Sequence, residues 1–143
     1  NLLRLKKDLP ELTNSAYIDN IEFLGSLTHL ECVSMIASCD FSAIIREDTL
    51  VTRAGFPTKL SESLACGTPV ITTPSSNITD YVINGKNGYV TKDFSYESIK
   101  ETIKLAITSL NTIDIEKMHD YTKNNNPLVY HNFTTEVKRV IDK

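Results

Sequence analysis

Cysteine is scarce in this sequence, and what there is does not pair. Cys32, Cys39 and Cys66 are odd in number and lack C-x-x-C spacing, and they form no ligand pattern with His29, His119 or His131. Neither a disulfide framework nor a zinc site is indicated, and reduced thiols in the cytoplasm are the corresponding expectation. No apolar run approaches the roughly 20 residues that a membrane span needs, and no secretory hydrophobic region opens the chain. Asn77-Ile78-Thr79 and Asn132-Phe133-Thr134 fit the glycosylation acceptor pattern, but without a secretory signal they carry no weight. There is no excess of positive charge either. A net charge of −3 and an isoelectric point near 5.6 give no general attraction to nucleic acid or to anionic membranes. No internal repeat is evident, and Asn1 opens directly into LLRLKKDL, which reads as the end of a helix cut from something longer.

What is present is an ordinary globular composition. The 143 residues, 41% apolar and 23% charged, suffice for one domain with a real core. Leu2, Leu5 and Leu9 lie at helical spacing before Pro10. Ile21 to Leu24 reads as a short strand stopped by Gly25, and Leu30, Val33 and Ile36 mark one face of a helix from Thr28 to Ser38. Phe41 to Ile45 is the next buried run, and its end delivers Arg46, Glu47 and Asp48. Val70 to Thr72 reads as a strand, Asp80 to Ile83 as a short helical turn, and Asn84-Gly85 with Asn87-Gly88 as a double turn before a strand at Tyr89-Val90. Ile99, Ile103, Ala106, Ile107 and Leu110 form a helical stripe, and Met118 to Asn126 reads as helix followed by a polar connection. Tyr130, Phe133, Val137, Val140 and Ile141 form a second stripe, so that residues 113–143 read as C-terminal helices. Strands alternating with helices imply a Rossmann-like parallel sheet with helices on both faces and ligands outside the carboxyl ends of the strands.

The segment GFPTKLSESLACGTPVI, residues 55–71, is the most informative. Pro57 suits a first helical turn because its missing N–H would have had no partner there, and Gly67 can take the left-handed conformation that ends a helix. Thr68-Pro69 forbids further helix, and Val70-Ile71 begins a strand. A helix entered through Gly55-Phe56-Pro57 presents unpaired N–H groups and a positive dipole end, which suits a phosphate. Leu60 and Leu64, four apart, are expected to face the sheet, which sets Glu62 on roughly the opposite side. By spacing alone, Glu62 and Lys59 make a solvated ion pair, Thr58 a helix cap, and Arg46 with Glu47 a surface loop pair. Thr73, Ser75 and Ser76 fit turn chemistry as well as ligand binding.

The order G-F-x-x-x-x-x-E-[SA]-x-A-x-G-x-P-V-I resembles the nucleotide-sugar segment of the glycosyl transferases group 1 family, retaining enzymes of the GT-B fold similar to glycosyltransferase family 4. The family form is E-G-F-G-x-x-x-x-E-A-x-A-x-G-x-P-V. Glu62 matches its second glutamate, Ala54 stands where the first would fall, and Pro57 replaces its second glycine. The likeness runs from about Ile21 to about Leu110, through IEFLG, CDFSAII and DYVINGKNGYV. It implies that residues 1–143 are a partial C-terminal, donor-binding domain, truncated at its start and inactive alone. The implied reaction moves a sugar from a UDP- or GDP-linked donor to a glycan or glycoconjugate acceptor, held by an N-terminal domain, in polysaccharide biosynthesis.

The resemblance also implies roles. Glu62 would accept hydrogen bonds from the ribose hydroxyls, and Gly55, Phe56, Pro57, Thr58 and Lys59 would hold the nucleotide sugar. Arg46 and Glu47 are the catalytic candidates on a separate hypothesis, arginine either meeting diphosphate charge or holding an acceptor, and Glu47 replacing the carboxylate missing at Ala54. No metal or other cofactor is implied: leaving-group charge would meet the helix N-terminus and cationic side chains, and no Asp-x-Asp occurs. No nucleic-acid partner is implied, and peripheral membrane association of a full-length enzyme is compatible with the family. Two other classes fit the residues less closely. One is an accessory nucleotide-sugar-binding half that works with a partner chain. The other is a flavodoxin-like regulatory domain, for which the acidic cluster expected after a first strand is not apparent.

Overall fold

The computed structural model describes residues 20–110, 114–134 and 138. Asn1–Cys32 and Val33–Lys143 form two compact units. In the first, the described part is irregular backbone up to Thr28, where a reciprocal cap closes a helix start. Thr28 N–H donates to Glu31 Oε2 at 2.8 Å and Glu31 N–H donates to Thr28 Oγ1 at 3.3 Å. The helix that follows is α1, His29–Ala37. Ile21 to Leu24, expected as a strand, is not one: it has no ladder partner among the described residues, and without one an apolar run has no reason to stay extended.

The second unit carries the sheet. Its elements are β1 (Ser42–Ile44), α2 (Leu50–Ala54), α3 (Thr58–Cys66), β2 (Val70–Thr72), β3 (Gly88–Val90), α4 (Tyr96–Leu110) and α5 (Asp114–Asn124), with short 3-10 turns at Ile78–Asp80 and Tyr130–Phe133. The three strands pair in parallel in the order β1-β2-β3, with Ser42 opposite Val70 and Val70 opposite Gly88. Because side chains alternate along a strand, adjacent residues of β2 serve opposite faces. Val70 packs with Ile44, Leu60, Leu64, Ile78 and Val82, whereas Ile71 packs with Tyr89, Ala106 and Met118. One face is thus covered by α3 and the other by α4 and α5, and β2 is buried along its whole length.

The ends of α3 follow from its sequence. Gly67 adopts φ 79°, and the Gly67 and Thr68 N–H groups close on the carbonyls of Leu64 and Ser63 at 3.2 and 2.9 Å, a Schellman stop. Leu60 and Leu64 are fully buried against the sheet, as their spacing requires. Gly88 answers a different need. A Cβ there would overlap the Val70 carbonyl and lie 2.8 Å from the Val70 nitrogen, so only glycine lets β3 approach β2.

One expectation is corrected, and two features go beyond the sequence reading. The turn expected at Asp80 to Ile83 sits earlier, at Ile78–Asp80, where buried Ile78 anchors it in the core. The stripe on α4 buries only Ala106 fully; Ile103, Ile107 and Leu110 stay at least 38% exposed, because the described sheet ends at β3 and gives that face nothing wider to cover. The helix α2 was not anticipated from periodicity. It is held by polar groups instead: Thr49 N–H donates to Thr52 Oγ1 at 2.8 Å, Thr52 N–H donates to Thr49 Oγ1 at 3.3 Å, and Thr52 Oγ1 donates to the Glu47 carbonyl at 2.6 Å. The expected stripe at Leu2, Leu5 and Leu9, and Val137, Val140 and Ile141 of the last one, lie outside the described residues.

Candidate functional site

The carboxyl end of β1 and the entrance to α3 enclose a cleft of about 310 Å³, lined by Ile44, Arg46, Gly55, Phe56, Pro57, Thr58 and Lys59. Six of the eight site residues expected from the sequence therefore come together. This is where a parallel sheet places its ligands, beyond the strand ends and against a helix N-terminus. Glu47 and Glu62 do not line the cleft.

Pro57 is the N-cap of α3 and offers no side-chain cap hydrogen bond, while Thr58 is the first helical residue rather than the cap. The dipole end of a nine-residue helix thus faces the cleft without a side chain of its own to answer it. Gly55 has an ordinary extended backbone, φ −128° and ψ 131°, and a Cβ there would meet nothing within 4 Å. Nothing in the fold itself demands glycine at that position. Phe56 is fixed by an edge-on contact with Tyr81, ring centroids 5.4 Å apart at 86°.

Arg46 is half-buried, and among the described residues no carboxylate lies within ion-pair distance of it. Its Nη2 donates to the Thr52 carbonyl at 3.3 Å, which turns the guanidinium toward α2. Its backbone is gripped by Thr73, whose Oγ1 accepts from the Arg46 N–H at 2.8 Å and donates to the Arg46 carbonyl at 2.5 Å. A half-buried cation at the mouth of a cleft is a ready partner for an anion.

Two ion pairs stand on the elements around the cleft. Lys59 Nζ and Glu62 Oε2 stand 2.5 Å apart, with side chains 53% and 24% exposed, so Glu62 meets the cleft through the lysine that lines it. Arg53 holds Asp48 through both carboxylate oxygens, Nε to Oδ1 at 2.9 Å and Nη2 to Oδ2 at 2.5 Å. The Arg53 hydrogen bond, the largest influence, together with the Arg53 charge, keeps the Asp48 carboxyl below its ordinary value, while burial, second in size, opposes it. Glu47 is exposed, and its backbone carbonyl rather than its carboxylate is engaged.

Of the loop after β2, Thr73 is committed to Arg46, and the Ser75 hydroxyl is buried without a partner among the described residues. Ser76 takes a left-handed φ of 55°, and its hydroxyl lies 3.5 Å from the Arg53 carbonyl. Sequence reasoning missed α2, the Asp48–Arg53 pair and Tyr81. The Thr49-x-x-Thr52 spacing was the one local signal, and it lacks the glutamate of a usual capping box. Among the described residues no three His, Cys, Asp or Glu side chains are grouped to hold a metal ion, and no helix is long and apolar enough to cross a membrane.

No curated protein matches the chain. Among solved structures, Anabaena Alr3699/HepE in complex with UDP-glucose is similar over 99% of this chain and 36% of its own, with a TM-score of 0.70 at 17% identity. The same Anabaena protein in complex with UDP gives a TM-score of 0.67 at 15% identity, again over 99% of this chain and 36% of its own. At such identities the likeness establishes the fold, and the chain spans about a third of the length of those structures. The family model described as glycosyl transferases group 1 matches residues 5–126, most of the chain, and the chain therefore belongs to that family.

Proposed function

We propose that this chain supplies the donor-nucleotide site of a retaining glycosyltransferase similar to family 4, as the C-terminal part of a longer two-domain enzyme. The donor is a UDP- or GDP-linked sugar, the acceptor a glycan or glycoconjugate, and the setting polysaccharide synthesis in the cytoplasm. The observation that carries this reading is the half-buried Arg46, without a carboxylate partner among the described residues, lining one cleft with the uncapped N-terminus of α3. The Anabaena structures with UDP-glucose and UDP, alike in fold, support it.

In this reading the diphosphate sits against the Thr58 and Lys59 end of α3, with Arg46 and Lys59 supplying positive charge. Departure of the nucleoside diphosphate builds negative charge on the leaving group, and donors fixed before the reaction meet it without reorganising. That arrangement asks for no metal. Glu62 accepts from the ribose hydroxyls; an ionised carboxylate has about four acceptor sites, enough to keep Lys59 as well. Phe56, held edge-on by Tyr81, forms an apolar wall. Glu47, outside the cleft lining, contributes through its backbone carbonyl, which accepts from Thr52 Oγ1. Alone, the chain binds nucleotide and transfers no sugar.

Replacing Arg46 tests the reading. Arg46→Ala should weaken UDP binding by about tenfold, the loss expected for one charge-assisted contact, when amide shifts are followed by titration. An unchanged UDP affinity in that variant contradicts it.

A further inference from the structure

We propose that Thr73 is a positioning residue for diphosphate binding, acting through Arg46; this rests on the reading of the cleft given above. The ladder between β1 and β2 ends at Ile44 and Thr72, where Thr72 Oγ1 also donates to the Ile44 carbonyl at 2.9 Å. Beyond that point the chain leaves the sheet, and the Arg46 N–H and carbonyl have no strand to bond. Thr73 takes the place of one. Its fully buried hydroxyl accepts from the Arg46 N–H at 2.8 Å and donates to the Arg46 carbonyl at 2.5 Å, extending the ladder with a side chain.

A hydroxyl is the group for this because it is donor and acceptor at once. The pair lies 27 residues apart in sequence, so the contact is tertiary rather than turn geometry. It fixes the Arg46 backbone while the Thr52 carbonyl, 3.3 Å from Nη2, fixes the head of the side chain. Thr52 is itself tied to Thr49 and to the Glu47 carbonyl. The guanidinium is therefore held at both ends before any ligand arrives, which lowers the ordering cost of binding an anion. Neither Thr73 nor Thr52 lines the cleft, so Thr73 acts at one remove.

The test compares UDP with uridine, which shares the base and ribose but lacks the diphosphate. With the full 143-residue chain, Thr73→Val should weaken UDP binding by about three- to tenfold, the value of one to two hydrogen bonds. Uridine binding should stay unchanged, and Thr73→Ser, which keeps the hydroxyl, should bind UDP within about twofold of the unaltered chain. If Thr73→Val does not fold, Thr73→Ala removes the same hydroxyl without crowding the site and carries the same comparison. Equal loss of UDP and uridine affinity would show a structural effect alone and overturn the proposal, as would undiminished UDP binding. If the unaltered chain binds no UDP, the cleft assignment itself falls and the proposal with it, an outcome distinct from the other two.

Discussion

Lys59 Nζ stands 2.5 Å from Glu62 Oε2 across one turn of α3, so the cation that lines the cleft and the carboxylate behind it form one unit. The plain explanation of this pair, a solvated salt bridge, is therefore the geometry observed, and the functional one needs a separate test.

The two explanations separate on stability. An exposed pair at this spacing is worth little, about 0.5 kcal/mol or less after solvent screening. Glu62→Ala should leave the thermal midpoint nearly unchanged yet weaken uridine and UDP alike, because the contact it removes is to ribose. Thermal melts with parallel titrations check this. A variant that binds both ligands normally removes Glu62 from the site.

Two glycines make opposite predictions. Gly88→Ala places a methyl against the Val70 backbone and should cost about 3 kcal/mol or more, seen as unfolding at lower denaturant. Gly55→Ala meets no protein atom within 4 Å and should fold with unchanged stability, but the added methyl should cut UDP affinity if ligand lies against that backbone. Denaturant melts and titrations of both variants decide it. A Gly55→Ala chain with normal UDP binding places the nucleotide elsewhere.

The loop beside the cleft gives a pH prediction. Asp48 is held below its ordinary value of 3.8 in the folded chain, so the stability it contributes is present above that value and is lost as pH falls through its folded pKa. Between pH 5 and pH 8, about the range in which proteins are most stable, the Asp48–Arg53 pair should not titrate. The Arg53 Nε proton, bonded to the Asp48 carboxylate, should shift with a midpoint below pH 3.8, and Asp48→Asn should abolish that transition. An Arg53 Nε midpoint at or above 3.8 would mean that the pair is not formed in solution.

The parts of this fold legible from sequence were those fixed by local chemistry. Pro57 and Gly67 bracketed α3 because one cannot donate an N–H and the other can take positive φ, and Leu60 with Leu64 named its buried face. The strand β2 was read at its observed bounds, Val70–Thr72, since turn and breaker residues flank it. What escaped depended on distant partners. Ile21 to Leu24 has a strand's composition but no ladder among the described residues, and α2 is organised by threonine hydroxyls and the Asp48–Arg53 pair rather than by an apolar stripe. The same limit applied at the site. Six cleft residues were named from one contiguous motif and one strand end, whereas the grip of Thr73 on Arg46 spans 27 positions and leaves no periodic trace.

The most direct test of the account is an amide-shift map of the 143-residue chain titrated with UDP. Saturable shifts confined to Arg46, to Gly55 through Glu62 and to Thr73, with a dissociation constant near the roughly millimolar level, are the predicted result. Shifts that avoid Arg46 and Gly55 to Lys59, or no shifts at several millimolar UDP, would contradict it.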